Sequence, residues 1–386
     1  MEKERSGKKG REKRGIRSLT AWLLGGMVVV LAVLFFLADK KEFSENENRY
    51  LEKLPAFHLE KVRSGEYMED LEAYLADHFP FRDSFMGIKT KAEITAGKKE
   101  INGIFIAEDG YLIEEYAKPE NTERIGEILG NFSRELEGQN VKLRLMLVPT
   151  AVWVYEDKLP DFAPVRNQME TAEKIYAISG IIPIDCSGDL LAYQGEGDLY
   201  YRTDHHWTTL GAYVGYQAYC REMGWDAVPL EKMTAQIAAE DFRGTVYSKA
   251  GDYGRKGDVI TVYTNPSDSL TVEYTDTGEV TDSLYNFDYA TVKDKYSLFL
   301  NNLHPLIEIT NETAVSDREL ALIKDSYANS MVPFLVHHYK KIYVFDTRYY
   351  KQGVSEFIKA HPGVTDVLLL YNMNTLDKDL GIRGVY

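Results

Sequence analysis

Cysteine is almost missing from this 386-residue chain: Cys186 and Cys220 are its two, and neither stands in a CxxC or metal-type spacing. Thiol chemistry is thereby excluded as the function. Whether the two pair or sit as separate buried thiols stays open, because a bridge needs Cα atoms within about 7 Å. Net positive charge is missing as well. The formal charge is −15, and eight of the 45 Lys and Arg against three of the 60 Asp and Glu precede residue 19, leaving about −20 on the rest. Such a surface repels nucleic-acid phosphates, so no nucleic-acid partner is expected. Internal repeats are absent, and so is any low-complexity tract beyond a basic arm at residues 1–18.

What is present begins with one long apolar run. Leu19–Ala38 carries no charge, and a helix of about 20 such residues crosses a ~30 Å hydrocarbon layer. The segment after it, FFLADKKEF, lacks a small-x-small cleavage pattern, which favours a retained anchor over a signal peptide. The basic arm places the N-terminus in the cytoplasm and everything after Asp39 outside, in a single-pass arrangement at the cell membrane. Residues 39–66 read as a polar stalk, and 67–386 as one extracytoplasmic domain. At the start of that domain Met68, Leu71, Tyr74 and Leu75 recur at helical spacing, and Pro80 interrupts them, so helix, turn, helix is expected. His78 and Arg82 in that turn read as polar groups tying it down.

Beyond residue 100, helical patterns (122–137, 169–179, 208–223) alternate with short apolar runs at 141–148, 180–185, 320–323, 342–345 and 367–370. That order predicts an α/β fold with a largely parallel sheet and helices on both faces. Residues 231–300 break it: Thr, Val and Tyr alternate with charges around Gly and Asn-Pro, which predicts antiparallel strands in a β-rich insertion.

In open α/β sheets reactive groups gather where strands end and helices begin. Two such places carry suitable side chains. One is Thr203-Asp204-His205-His206-Trp207, ahead of a helix. The other is Lys324-Asp325-Ser326, where a strand gives way to a helix whose free N–H groups suit an oxyanion. A serine needs a histidine base held by a carboxylate. In an extended segment Asp204 and His206, two apart, face one side and His205 the other. Ser326 is therefore the expected nucleophile, His206 its base and Asp204 the orienter. A helix-capping Asp beside core histidines is the bland reading. A metal site joining Asp204, His205 or His206 to His337 and His338 lacks the i,i+4 ligand spacing, so no metal is expected, and the second His pair is placed on a helix over 327–340. Trp207 has two readings, wall of a sugar groove or anchor of the helix start. Arg348 in FDTRYY has two also, clamp for an anion or ion pair to Asp346 or Asp325.

Asp204-His205-His206-Trp207 resembles the signature of the DHHW protein family, and DHFPFRD, VPTAVWVYEDKLP (148–160) and FDTRYY look like further family blocks. The wider pattern is similar to the alginate O-acetylation proteins, whose domains resemble SGNH hydrolases in permuted order, with Asp-x-His ahead of the serine. The resemblance implies an SGNH-hydrolase-like (flavodoxin-like) three-layer sheet, and an O-acetyltransferase acting on a surface polysaccharide through an acyl-serine without a diffusible cofactor. It also implies a membrane-bound O-acyltransferase as acetyl donor. A deacetylase with the same residues, or a non-catalytic polysaccharide-binding protein on this scaffold, are the alternatives. Two departures stand out. Lys324 occupies a place where SGNH enzymes carry Gly, and the Gly-x-Asn block has no clean match. Asn302, better than its neighbour Asn301, and Asn329 are the nearest substitutes for its oxyanion donor.

Overall fold

The computed structural model describes residues 2–47, 49–378 and 380–386. By contacts the chain divides into a unit Met1–Ala92 and a unit Glu93–Tyr386.

In the first unit helix Glu2–Leu37 contains the one window among the described residues that is long and apolar enough to cross a membrane, Thr20–Leu37. The polar residues that follow carry a short antiparallel strand pair, Phe43–Ser44 with Arg49–Tyr50, and helix Leu59–Ser64. Helices Glu66–Asp77 and Arg82–Thr95 flank the expected turn, where Phe81 takes a left-handed φ of 59°. Its polar groups do tie it down. His78 Nε2 meets the Glu52 carbonyl at 2.9 Å, Arg82 pairs with Glu47 at 2.6 Å, and Arg49 grips both oxygens of buried Asp77.

The second unit is mixed α/β around an eight-stranded sheet. Its strands, with a separate hairpin included in the numbering, are β1 Lys142–Val148, β2 Ile182–Pro183, β3 Thr234–Phe242, β4 Asp258–Thr264, β5 Leu270–Tyr274, β6 Glu279–Thr281, β7 Leu306–Asn311, β8 Glu319–Lys324, β9 Lys341–Phe345 and β10 Val364–Asn372. The large sheet runs β6-β5-β7-β9-β8-β10-β1-β2, while β3 and β4 pair apart from it. From β9 to β2 neighbours are parallel; β7, β5 and β6 are antiparallel. The parallel part is therefore flanked by an antiparallel arm that a uniform crossover pattern does not anticipate. Burial explains the difference in sequence texture. Strands β8 and β10 are buried on nearly every residue, whereas β5 buries alternate ones, as expected for a two-sided parallel strand against a half-solvated antiparallel one.

Helices α1 Thr122–Glu135, α2 Gln168–Ser179 and α3 Thr209–Met223 form where periodicity places them. Helix α1 buries Ile125, Ile128, Leu129 and Phe132, a stripe at three- and four-residue spacing. The Thr208 hydroxyl caps α3 by accepting from Gly211 N, an N-cap of the preferred type. A helix over 327–340 is not found. Instead a 3-10 turn, Ser326–Ser330, precedes Val332–Leu335, with Pro333 in its first turn. Both cysteines are buried and unpaired.

Candidate active site

Strand β8 ends at Lys324, and the chain enters the 3-10 turn at Ser326 under the control of one carboxylate. Asp325 is fully buried. It accepts from Tyr327 N at 2.8 Å, capping the turn, and from Asn372 N and Nδ2 at 2.7 Å, tying the ends of β8 and β10 together. Burial pushes its pKa up to about 6, against those same N–H donors. Ser326 is left partly exposed between buried neighbours. The glycine expected before Asp325 is not required, since Lys324 has no left-handed φ. Its side chain is buried instead, with Nζ 3.8 Å from Asp346 Oδ2.

The opposing loop folds back on itself. Tyr200 bridges Trp207, and Tyr201 N donates to the His206 carbonyl, so residues 202–205 form its tip. Asp204 and His206 meet here through a tight turn and not, as the sequence suggests, through an extended segment. Asp204 Oδ1 accepts from His206 N at 3.0 Å and lies 2.5 Å from His206 Nδ1. His206 Nε2 in turn lies 2.7 Å from Ser326 Oγ. The three residues expected to act together are thus one hydrogen-bonded relay, with Asp204 and His206 3% and 6% exposed.

Several residues that sequence reasoning passed over hold this relay in place. Tyr296 stacks on the His206 ring at 3.7 Å and 8°, and its hydroxyl donates to the Ser326 carbonyl at 3.1 Å. Thr245 N and Oγ1 donate to Asp204 Oδ2 at 2.8 and 3.1 Å. Asp258, where β4 begins, accepts from Arg202 N, Thr203 N and Thr203 Oγ1. Tyr327 joins the two halves: its hydroxyl donates to the His205 carbonyl at 2.5 Å, and its own carbonyl accepts from Trp207 Nε1 at 2.9 Å. Tyr327 directly follows Ser326, but Tyr296, Thr245 and Asp258 belong to neither motif and come from chain segments that only the fold brings together.

The remaining candidates divide. Trp207 is fully buried, so of its two readings the structure keeps the anchor and not the groove wall. Arg348 forms a two-pronged pair with Asp346, through Nε at 2.8 Å and Nη2 at 2.6 Å, and still lines a cavity of ≈ 390 Å³ with Glu114, His205, Thr245, Lys249 and Asn374. Asn302 sits in a left-handed stretch of backbone, and its Oδ1 accepts from Ser297 Oγ instead of facing the serine. Asn329 is buried within the serine's own turn, with an Oδ1 that has no partner among the described residues. The Ser326 N–H, first in its turn, has no protein acceptor among the described residues either, the usual condition of a helix-start amide. His338 bonds the Tyr216 hydroxyl and His337 lies against Asp268, so neither joins Asp204. Ligand-type atoms of Asp204, His205 and His206 do lie within 4.8 Å of one another. Both nitrogens of His206 are already engaged with Asp204 and Ser326, however, which is the pattern of a proton relay.

Electrostatics fits that pattern. Burial works against the Asp204 charge, but the imidazoles of His205 and His206 bring it well below the usual carboxylate range. Burial, and then the charge on His205, push His206 down to about 4. A depressed imidazole is neutral, and able to take a proton, at every pH above that value. Serine acylation is therefore expected to stay level from neutral pH downward and to fall only as pH drops through about 4, well below the ~6.5 of an ordinary histidine. A pH–rate profile of ester turnover checks this; an acid limb centred on the ordinary value contradicts it.

The sequence model of a family described as "DHHW protein" matches residues 116–345. A probable alginate O-acetylase, AlgJ, of Pseudomonas syringae pv. tomato is 25% identical over 196 residues, 47% of this chain and 50% of that protein. The chain spans about half the length of the curated relatives it matches. Among solved structures, a DHHW family protein from Eubacterium siraeum superposes with a TM-score of 0.65 at 26% identity, over 74% of this chain and 95% of the other. PatB1 of Bacillus cereus, solved with a sulfonyl adduct, gives 0.59 at 22% identity over 72% and 97%. At that identity the likeness to PatB1 is one of fold.

Proposed function

The chain belongs to the DHHW protein family, and from that premise we propose that it is a membrane-anchored, extracytoplasmic O-acetyltransferase of SGNH-like architecture, acting on a cell-surface polysaccharide through an acetyl-serine. The observation that carries the reading is the unbroken relay Asp204–His206–Ser326, with contacts of 2.5 and 2.7 Å. The match to a probable alginate O-acetylase supports acyl transfer to a polysaccharide, and the apolar helix Thr20–Leu37 supports the anchor.

In the first half-reaction Ser326 Oγ bonds to the acetyl carbon while its proton passes to His206 Nε2, and from there to the departing oxygen of the donor. In the second, an acceptor hydroxyl attacks the same carbon. Its proton goes to His206, the C–Oγ bond breaks, and Ser326 recovers a proton. Asp204 stabilises the imidazolium formed twice on the way. In this reading the Ser326 N–H holds the oxyanion, with Asn329 as a further candidate. The acetyl group starts on a cytoplasmic carrier, so this reading includes a membrane-bound O-acyltransferase as the partner that delivers it. Water in place of the sugar makes the same residues an esterase, and the partial exposure of Ser326 keeps that as the second reading.

The test is mass spectrometry of the detergent-solubilised chain after a brief incubation with an activated acetyl ester. An acetyl group on the peptide containing Ser326 is expected. An acetyl group found only on other residues, or none, would sink the proposal. Supplying oligosaccharides then separates transfer from hydrolysis.

A further inference from the structure

His205 is not used by the relay, yet it is built into it. Its ring lies 3.9 Å from that of His206, and its Nδ1 meets Thr245 Oγ1 at 2.6 Å. The Thr245 hydroxyl has one proton and two neighbours. Asp204 Oδ2, ionised and able only to accept, takes that proton at 3.1 Å. His205 Nδ1 must therefore carry hydrogen and donate to Thr245. That fixes the ring and leaves Nε2 as its unused nitrogen. Nε2 has no protein partner among the described residues and is not among the buried unpartnered atoms, so it reaches open space. His205 lines two cavities beside the relay. One is shared with Asp204, Tyr327 and Asn372. The other is the ≈ 390 Å³ cavity edged by Glu114, Thr245, Lys249, Arg348 and Asn374.

Resting on the acetyltransferase reading, we propose that this cavity is the acceptor subsite and that His205 Nε2 hydrogen-bonds a hydroxyl of the sugar that receives the acetyl group. A sugar hydroxyl both donates and accepts, so it suits this nitrogen in either protonation state. Water arriving from bulk needs no such partner. His205 thereby favours sugar over water at the step where the acetyl-serine is resolved, and the two adjacent histidines divide the labour: His206 moves the proton, His205 holds the acceptor.

The experiment uses the full chain in detergent, an activated acetyl ester as donor, and cello-, chito- and uronate oligosaccharides as acceptors. The readout is the ratio of acetyl transferred to acetyl hydrolysed, which does not depend on how fast the acetyl-serine forms. Asn reproduces the Nδ1 donor towards Thr245 and lacks Nε2, whereas Gln carries its amide out to about the Nε2 position. In His205→Asn the ratio is expected to fall about tenfold, the scale of one lost hydrogen bond, and His205→Gln is expected to recover part of it. An unchanged ratio in His205→Asn overturns the proposal, as does slower acylation with the ratio intact, the mark of a structural role alone. If the parent forms the acetyl-serine but transfers to none of the acceptors, the subsite is overturned while the nucleophile stands. Absence of the acetyl-serine from the parent removes the underlying reading itself.

Discussion

Ser326→Ala is expected to reduce turnover of an activated acetyl ester by on the order of 10⁴–10⁶-fold, the scale on which nucleophile and base losses fall in serine relays. His206→Ala should fall as far, and the double variant no further. The reason is geometric: Ser326 Oγ and His206 Nε2 are 2.7 Å apart and each is inert without the other. Asp204→Asn should cost less, on the order of 10⁴-fold, because shape is retained while the imidazolium loses its counter-charge and the tautomer its anchor. None of these variants should unfold the chain. Ser326→Ala removes a partly exposed hydroxyl and leaves one imidazole nitrogen without its partner, a loss of about 1 kcal/mol. Release of the ester's leaving group, with an unfolding midpoint for each variant, decides the matter. A stable Ser326→Ala protein that keeps most of the parental rate refutes the relay as the catalytic unit.

Those three residues were legible in sequence because their chemistry is local in type. A carboxylate, an imidazole and a hydroxyl stand where strands and loops meet helices, and few other places in the chain offer that set. How they meet was not legible. Alternation in an extended segment predicted that Asp204 and His206 face one side, and they do meet, but by a turn in which Asp204 Oδ1 takes both the backbone and the side chain of His206. Periodicity cannot report such a turn, since Asp gains its partners two residues on. Tyr296, Thr245 and Asp258 were invisible for a different reason. Each acts through a contact between segments distant in sequence, and nothing in stretches such as DKYSL (294–298) or RGTVY (243–247) marks them as neighbours of a histidine.

The sheet divides in the same way. Strands β8, β9 and β10 announced themselves as short apolar runs because both their faces are covered. Strands within residues 231–300 pair antiparallel, but alternation does not name a partner. β3 and β4 pair only with each other, whereas β5 and β6 extend the main sheet through β7. The β3–β4 hairpin earns its place by what its connection carries. Phe242, Gly244, Thr245 and Asp258 all reach the loop that bears Asp204. Lys324 looked out of place for lack of a glycine, and the negative φ there removes the objection.

That connection yields the second large effect, at a residue with no chemistry of its own. Gly244 has φ −88° and ψ −153°, a conformation open to any residue, so backbone strain is not why glycine stands there. The reason is contact. A Cβ added at Gly244 would lie 2.0 Å from Asp204 Oδ2 and 2.4 Å from its Cβ and Cγ. The carboxylate is closed in on its other sides by Thr245 and His206, so it can make room only by giving up the hydrogen bonds that orient it. Gly244→Ala is therefore expected to behave as an Asp204 variant, with kcat lowered by on the order of 10³–10⁴-fold. Overpacking of a filled site should lower stability by about 1–3 kcal/mol as well. Thr245→Ala serves as the comparison. It deletes one hydroxyl donor, leaves Thr245 N's position on Asp204 Oδ2 to be filled by the alanine N–H, and should cost roughly tenfold at most. The ordering is the test. If Gly244→Ala folds and turns over ester as fast as Thr245→Ala does, the close seat of Asp204 is not what sets the relay. If it falls to the level of Asp204→Asn with the substrate KM unmoved, a single methyl group far along the chain will have disarmed the histidine by displacing its orienter.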